Sequence, residues 1–222
     1  MTIFITGANR GIGAELVRQY AALAQDIIAT TRGHIPDDLR ALATWHVLDV
    51  TDQASFDVLM PVLDGLEISL LICNAGVYLD KNENLTNGYP AQQWHDTFAA
   101  NVLGPFLSVQ NLLPNLKSHG AAKIAIVASK MGSNAHADGG SYTYRASKAA
   151  AINVASNLAT DLGPQGICVG AYHPGWVKTD MGSQNADIDA LTAAAGLIQR
   201  FSALSLETNG CFQSFDGEIL PF

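Results

Sequence analysis

The sequence predicts an α/β domain, a doubly wound parallel sheet of about seven strands with helices on both faces. Three observations carry this. Short apolar runs alternate with longer amphipathic stretches along all 222 residues. Hydrophobic residues make up 48% of the chain and charged ones only 14%, well under the roughly one quarter usual in soluble domains, as expected when strands are buried on both sides. No Pro/Ser-rich linker, charge block or internal repeat divides the series, so residues 1–222 are expected to form a single domain.

The first strand, residues 2–6, runs into Thr6-Gly7-Ala8-Asn9-Arg10-Gly11-Ile12-Gly13, which opens a helix over 11–24. Glycine has a mechanical reason at three places. Gly7 permits a sharp turn, Gly11 lets the backbone approach a pyrophosphate, and Gly13 lets the helix sit close on the sheet. The helix N-terminus then offers free N–H groups and a positive dipole end to phosphate. Such a turn by itself is also an ordinary tight turn. Its place between the first strand and the first helix is where a dinucleotide requires it, which makes the fold Rossmann-type.

The second strand, 26–31, ends in Ala29-Thr30-Thr31-Arg32. NAD-specific domains place an acidic residue here to hold the adenosine ribose 2′-hydroxyl, and none is present. Arg32 and Arg10 instead suit a two-sided guanidinium clamp on a 2′-phosphate, which predicts NADP(H) over NAD(H). Two solvated surface arginines are the plainer reading. A helix over 36–43 leads to the third strand, 44–48. Asp49 and Val50 follow, the first placed to accept from an adenine amino group and the second to pack on its ring. Asp49 also suits a helix or turn cap.

The fourth strand, 68–73, precedes Asn74-Ala75-Gly76, and a helix is expected over 91–118. Within it, the uncharged run 97–116 holds Pro105, Pro114 and the amides Asn101, Gln110, Asn111 and Asn115, which a lipid-facing helix tolerates poorly. With a strand in place of a basic and apolar leader at the N-terminus, the protein is expected in the cytoplasm. Asn101 is as readily solvated or bonded to backbone as functional. The fifth strand, 123–128, puts Ser129 at the rim that carries the glycine turn, where its hydroxyl is a candidate partner for a carbonyl oxygen.

A helix over 143–162 carries Tyr144-Arg145-Ala146-Ser147-Lys148, with a phenol and an ammonium four residues apart on one face. A positive neighbour favours the ionised phenol, so the pair suits acid/base work near neutrality. Tyr142 lacks such a partner. The sixth strand, 167–172, leads to Pro174, and a helix over 187–204 precedes the seventh, 211–215.

Composition removes several function classes. Twelve basic against twenty acidic residues give a net charge of −8, with no basic cluster to neutralise a row of phosphates, so nucleic acid is not an expected partner. Cys73, Cys168 and Cys211 form no C-x-x-C pair and read as buried thiols in a reducing compartment. The six histidines show no ligand spacing, so no metal is expected. A G-x-S-x-G elbow is absent, which counts against a hydrolase. His173 is placed to line a pocket or to serve as a hydrogen-bonded structural residue.

Taken together these motifs resemble the short-chain dehydrogenase/reductase family over essentially the whole length. The family's T-G-x-x-x-G-x-G stands here as Thr6 to Gly13, its N-A-G as Asn74-Ala75-Gly76, and its catalytic Asn, Ser, Tyr and Lys as Asn101, Ser129, Tyr144 and Lys148. Its P-G-x-x-x-T stands as Pro174-Gly175-Trp176-Val177-Lys178-Thr179. Residues 144–148, 174–182 and the ending Ser214-Phe215-Asp216-Gly217 resemble the small bacterial C-factor-like branch. Cys73 departs from the pattern where many relatives carry a further Asn, which touches a supporting hydrogen bond but no reacting atom.

The resemblance implies an NADP(H)-dependent oxidoreductase interconverting a small carbonyl compound and its alcohol by hydride transfer. Tyr144 then donates the proton, Ser129 orients the carbonyl oxygen, and Lys148 lowers the phenol pKa and binds the nicotinamide ribose. Asn101 supports a water-linked proton relay. Thr179 and the Val177 backbone position the carboxamide beside Pro174 and Gly175, while Asn74, Ala75 and Gly76 line the cofactor groove. An alternative is a dinucleotide-binding signalling protein of C-factor type in which turnover is secondary, and a nucleotide-sugar epimerase is a lesser one. The intact four-residue set favours the enzyme.

Substrate choice is expected in the short segment after Thr179, through Met181, Ser183, Gln184 and Asn185 into the following helix, together with Trp176 and residues 130–141. Trp176 and Met181 offer an apolar wall or belong to the core. Ala146, Ala149, Ala150, Ala151 and Ala155 permit close approach either to a second subunit, giving a homodimer or homotetramer, or to another element of the same chain.

Overall fold

The structure is a computed structural model that describes residues 1–86, 88–183 and 185–222; Gln184, named above for substrate choice, lies outside the described residues. Seven strands form one parallel sheet in the order β3-β2-β1-β4-β5-β6-β7. They are β1 (Thr2–Ile5), β2 (Asp26–Thr31), β3 (Thr44–Val47), β4 (Leu70–Cys73), β5 (Lys123–Val127), β6 (Cys168–His173) and β7 (Phe212–Ser214). The helices are α1 (Gly11–Ala22), α2 (Asp37–Arg40), α3 (Gln53–Leu59), α4 (Ala91–Phe98), α5 (Gly104–His119), α6 (Tyr142–Leu162) and α7 (Ala190–Ala203).

Alternation along each strand sends neighbouring residues to opposite faces. Ile3 and Ile5 of β1 join Leu16 and Val17 of α1 and Leu197 and Phe201 of α7 in one core. Phe4 joins Phe56 of α3, Leu112 of α5 and Ile152 of α6 in the other. Both faces are covered, and this accounts for the low charge of the sequence. Chain order reverses between β1 and β4, so a crevice opens beyond their carboxyl ends, and the loops after each strand line it. Among the described residues no helix is long and apolar enough to cross a membrane.

The helix expected over 91–118 is three pieces. A single π turn, Ala99–Leu103, separates α4 from α5. Pro105 lacks the N–H that would reach the Asn101 carbonyl four residues back, so the regular ladder cannot run through this point. Pro61 acts in the same way on the helix expected over 52–64, which becomes α3 followed by a 3₁₀ turn, Met60–Leu63. The stretch 36–43 keeps one turn of helix, Asp37–Arg40. α7 begins at Ala190, where Asp189 caps it by accepting from the Thr192 N–H at 2.8 Å. Cys73 and Cys168 are buried as expected, whereas Cys211 is half-buried with its Sγ 3.6 Å from the Tyr172 hydroxyl.

Gly13 shows how tightly α1 must sit. A Cβ there would overlap the Gly7 carbonyl oxygen and stand 2.6 Å from Asn74 Nδ2, both fixed by hydrogen bonds. Gly13→Ala is therefore expected to cost about 1–3 kcal/mol, the usual penalty for overpacking. Thermal melts check this, with an unchanged midpoint counting against it.

Candidate active site

The glycine turn is built for close approach. Gly7 and Gly11 adopt φ of +63° and +54°, and a Cβ on Gly7 would lie 2.8 Å from the Ala75 Cα. Thr6 Oγ1 accepts from the backbone N–H groups of Asn74 at 3.0 Å and Ala75 at 3.1 Å. In return Asn74 Nδ2 donates to the carbonyls of Thr6 and Gly7. This lock holds the loops after β1 and β4 together at the switch point. No side chain caps the start of α1 and no acidic residue stands in its first turn, so its N–H groups remain available to an anion.

A cavity of about 430 Å³ runs from this turn to Tyr144 and Lys148. Of the residues expected to hold a dinucleotide, Gly7, Asn9, Arg10, Gly11 and Ile12 line it from the turn, Arg32, Asp49 and Val50 from the strand ends, and Asn74, Ala75 and Gly76 from the floor. Pro174 and Thr179 line it from the loop after β6. Gly13, Gly175 and Val177 do not reach the cavity and instead support it. Val177 is buried and bridges to Ile188, while Gly175, at φ +87°, packs beneath Ile188 and Phe215. The free amides, the absence of a Cβ where the floor is closest, and paired guanidinium groups at the rim all fit a dinucleotide.

The two-sided clamp expected of Arg10 and Arg32 is not preformed. Arg32 Nη1 lies 3.2 Å from Asp49 Oδ2, and Arg10 Nη1 lies 3.0 Å from Asp180 Oδ2, each pair more exposed than buried on the arginine side. Asp49 also accepts from the backbone and hydroxyl of Thr51 at 2.9 and 2.8 Å, which caps a turn, while the start of α3 is capped by Asp52. Burial alone would raise its carboxyl, but the Thr51 bonds and Arg32 outweigh this and hold it below the usual carboxylate range.

At the reacting end, Tyr144 is buried, and the Ser129 hydroxyl is close enough to the phenol to favour its ionised form. Lys148 Nζ sits 5.6 Å from the Tyr144 ring centroid and donates to the Val127 carbonyl at 2.8 Å. Burial pushes the Tyr144 phenol up to about 12, with the Ser129 bond acting against it and Tyr78 and Asp80 adding to it. Burial likewise brings the Lys148 amine down to about 8. The expectation that the ammonium draws the phenol toward neutrality is thus reversed, because desolvation is the larger effect. Tyr144 carries its proton at neutral pH, ready to donate.

Asn101 stands within the π turn and is buried, and its polar atoms are fully engaged. Oδ1 accepts from the Val77 N–H at 2.8 Å, and Nδ2 donates to the Val77 carbonyl and to Ser147 Oγ, both at 2.9 Å. It fastens the loop after β4 to α6, and neither Asn101 nor Ser129 lines the cavity itself. The extra residue of the π turn is what rotates Asn101 inward.

Two residues that sequence reasoning did not single out belong to this site. Tyr78 stacks on Tyr144 with ring centroids 4.1 Å apart, and Asp80 accepts from the Thr143 and Tyr144 amides. The one available signal was their place just after Asn-Ala-Gly. His173 differs from expectation: its Nδ1 is buried with no hydrogen-bond partner among the described residues, and burial with Lys130 lowers its pKa to about 4. Met181 lines the cavity, whereas Trp176 is half-exposed and does not. Ala151 and Ala155 are spent in the monomer core, and Ala146, Ala149 and Ala150 are half-buried.

Comparison with known proteins agrees with this geometry. The model of the short chain dehydrogenase family matches residues 1–190. The chain is 35% identical to 1-hydroxy-2-glutathionyl-2-methyl-3-butene dehydrogenase of a Rhodococcus species over 230 residues, covering all of this chain and 99% of that one. It is 39% identical to the C-signal protein of Myxococcus xanthus over 127 residues, 57% of this chain and 76% of that one. Among solved structures it is similar to an NADPH-bound carbonyl reductase from chicken fatty liver, with a TM-score of 0.89 and 28% identity over all of this chain and 98% of that one. A seven-stranded parallel sheet, a glycine turn at its switch point and a match over most of its length agree, and the chain belongs to the short-chain dehydrogenase family.

Proposed function

We propose that this oxidoreductase uses NADP(H) to interconvert a small carbonyl compound and its alcohol, with Tyr144 as general acid and base. The observation that carries the proposal is the buried phenol of Tyr144 beside Ser129 and Lys148, at one end of a cavity whose other end is a glycine turn with free amides. The similarity to an NADPH-bound carbonyl reductase supports the same reading.

A bound nicotinamide dinucleotide supplies the hydride. The chain does the rest. Ser129 donates its hydroxyl proton toward the substrate oxygen and fixes it beside the Tyr144 phenol, which gives its proton to the developing alkoxide. Lys148 brings positive charge near the phenolate that remains, and Asn101 keeps the Val77 loop and α6 in register beneath the reacting atoms. Met181 gives the substrate an apolar wall, suited to modest aldehydes and ketones. We further propose that the protein works in the cytoplasm and self-associates, as a homodimer or homotetramer, which light scattering checks.

The C-signal relative gives the signalling alternative its one specific support. The two readings part on turnover: NADPH oxidation across a panel of aldehydes, ketones, quinones and 3-oxoacyl compounds is expected for the enzyme, and tight NADPH binding with no turnover of any of them favours the alternative.

Cofactor choice rests on Arg32. Its guanidinium must leave Asp49 for the 2′-phosphate, an exchange between two anions at an exposed rim. A hydrogen bond to a charged group is worth about 1.5–3 kcal/mol. Arg32→Ala is therefore expected to weaken NADPH about 10- to 100-fold while leaving NADH nearly unchanged. Equal losses for both cofactors, measured by fluorescence titration, would contradict the assignment.

A further inference from the structure

The loop after β4 meets the first turn of α6 around a fully buried carboxyl group. Asp80 is 0% exposed. Its Oδ2 accepts from the backbone N–H of Thr143 at 2.7 Å and of Tyr144 at 3.3 Å, while Oδ1 is buried with no hydrogen-bond partner among the described residues. Ser141, which precedes the helix, makes no cap of its own. It stands at φ +47°, and its hydroxyl is 2.5 Å from that of Tyr78. Tyr78 in turn stacks on the Tyr144 ring, with the planes 18° apart.

A helix end needs no buried acid, since a surface Ser or Asp beside it satisfies the same amides without desolvation. Burying a carboxyl group is costly unless its oxygens are paired, and here one of the two is not. We propose that Asp80 is a positioning residue for Tyr144, fixing it through the first-turn amides while Tyr78 fixes the ring. This rests on the reading of Tyr144 as proton donor.

The groups around the phenol come from every neighbouring element. Ser129 and Lys130 follow β5, Lys148 lies one turn along α6, and Tyr78 and Asp80 belong to the loop after β4. From α4 the buried polar atoms are the neutral Gln93 Oε1 and Thr97 Oγ1. Glu83, Tyr89 and Tyr142 also stand in this corner, Arg145 beside Tyr144 donates to the His136 carbonyl and pairs with Asp138, and Lys81 is tied to the carbonyls of Met181 and Gly182.

The test compares kcat and KM at neutral pH for wild type, Asp80→Ala, Asp80→Asn and Tyr144→Phe, with NADPH and the panel carbonyl that turns over fastest. Asn keeps an acceptor for the two amides, and Ala removes it. Asp80→Ala is expected to lower kcat at least about 10-fold with the KM for NADPH within about twofold of wild type, and Asp80→Asn to restore most of that turnover. An unchanged kcat in a folded Asp80→Ala variant overturns the proposal. So does loss of NADPH binding together with turnover in Asp80→Ala, which marks Asp80 as structural only. Activity retained in Tyr144→Phe would instead sink the proton-donor reading itself.

Discussion

Tyr144→Phe is expected to lower kcat for carbonyl reduction by about 10²- to 10⁴-fold, the range general acid catalysis contributes, while NADPH affinity changes little. The substitution removes one oxygen and keeps the ring, so the stack on Tyr78 and the packing of the first turn of α6 survive. On the proposed function, cofactor binding draws chiefly on the glycine turn, the rim arginines and Lys148, none of which the variant alters. Ser129 keeps its hydrogen bond from the Met131 N–H at 3.2 Å and stays in place. Steady-state kinetics with fluorescence titration separate the two effects. Turnover within a few-fold of wild type would remove Tyr144 from its role.

Lys148→Met is expected to lower both turnover, by about 10²-fold or more, and NADPH affinity, by about 10-fold. Lys148 is almost fully buried, and its amine lies under the cavity floor where a Cβ on Gly76 would come within 3.6 Å of it. The ammonium is present below a pKa near 8 and is lost as pH rises through that value. NADPH affinity in wild type should therefore weaken above about pH 8, and in Lys148→Met this fall should vanish. Arg is not expected to rescue, because a planar fork needs more room than the ammonium occupies. Unchanged pH dependence in the Met variant would assign the effect to another group.

The fold was legible because burial on both faces leaves a plain trace. Strands such as β1 and β5 are continuous apolar runs, and their ends carry the residues that cannot be explained by packing. Gly7, Gly11 and the Tyr144–Lys148 pair were readable because their chemistry is tied to local spacing along one element. What the sequence hid depends on contacts between elements. The π turn at 99–103 arises from a proline two residues past it, and its consequence for Asn101 appears only once Val77 and Ser147 come together in space. Asp80 is 63 residues from the amide it accepts from at 2.7 Å, and no periodicity announces such a pairing. The proton affinity of Tyr144 is hidden from the sequence for a related reason. Spacing reports the charged neighbour, whereas burial, the larger effect, is a property of the folded chain.

The central claim is hydride transfer between NADPH and a carbonyl carbon with proton donation by Tyr144. It is tested most directly by giving the wild-type protein NADPH carrying deuterium at the transferring position of the nicotinamide, together with the carbonyl panel, and analysing the products by mass spectrometry. The expected result is an alcohol with one deuterium on the former carbonyl carbon, formed by wild type and lost in Tyr144→Phe. Alcohol without the label, or labelled alcohol formed equally well by Tyr144→Phe, would contradict the account.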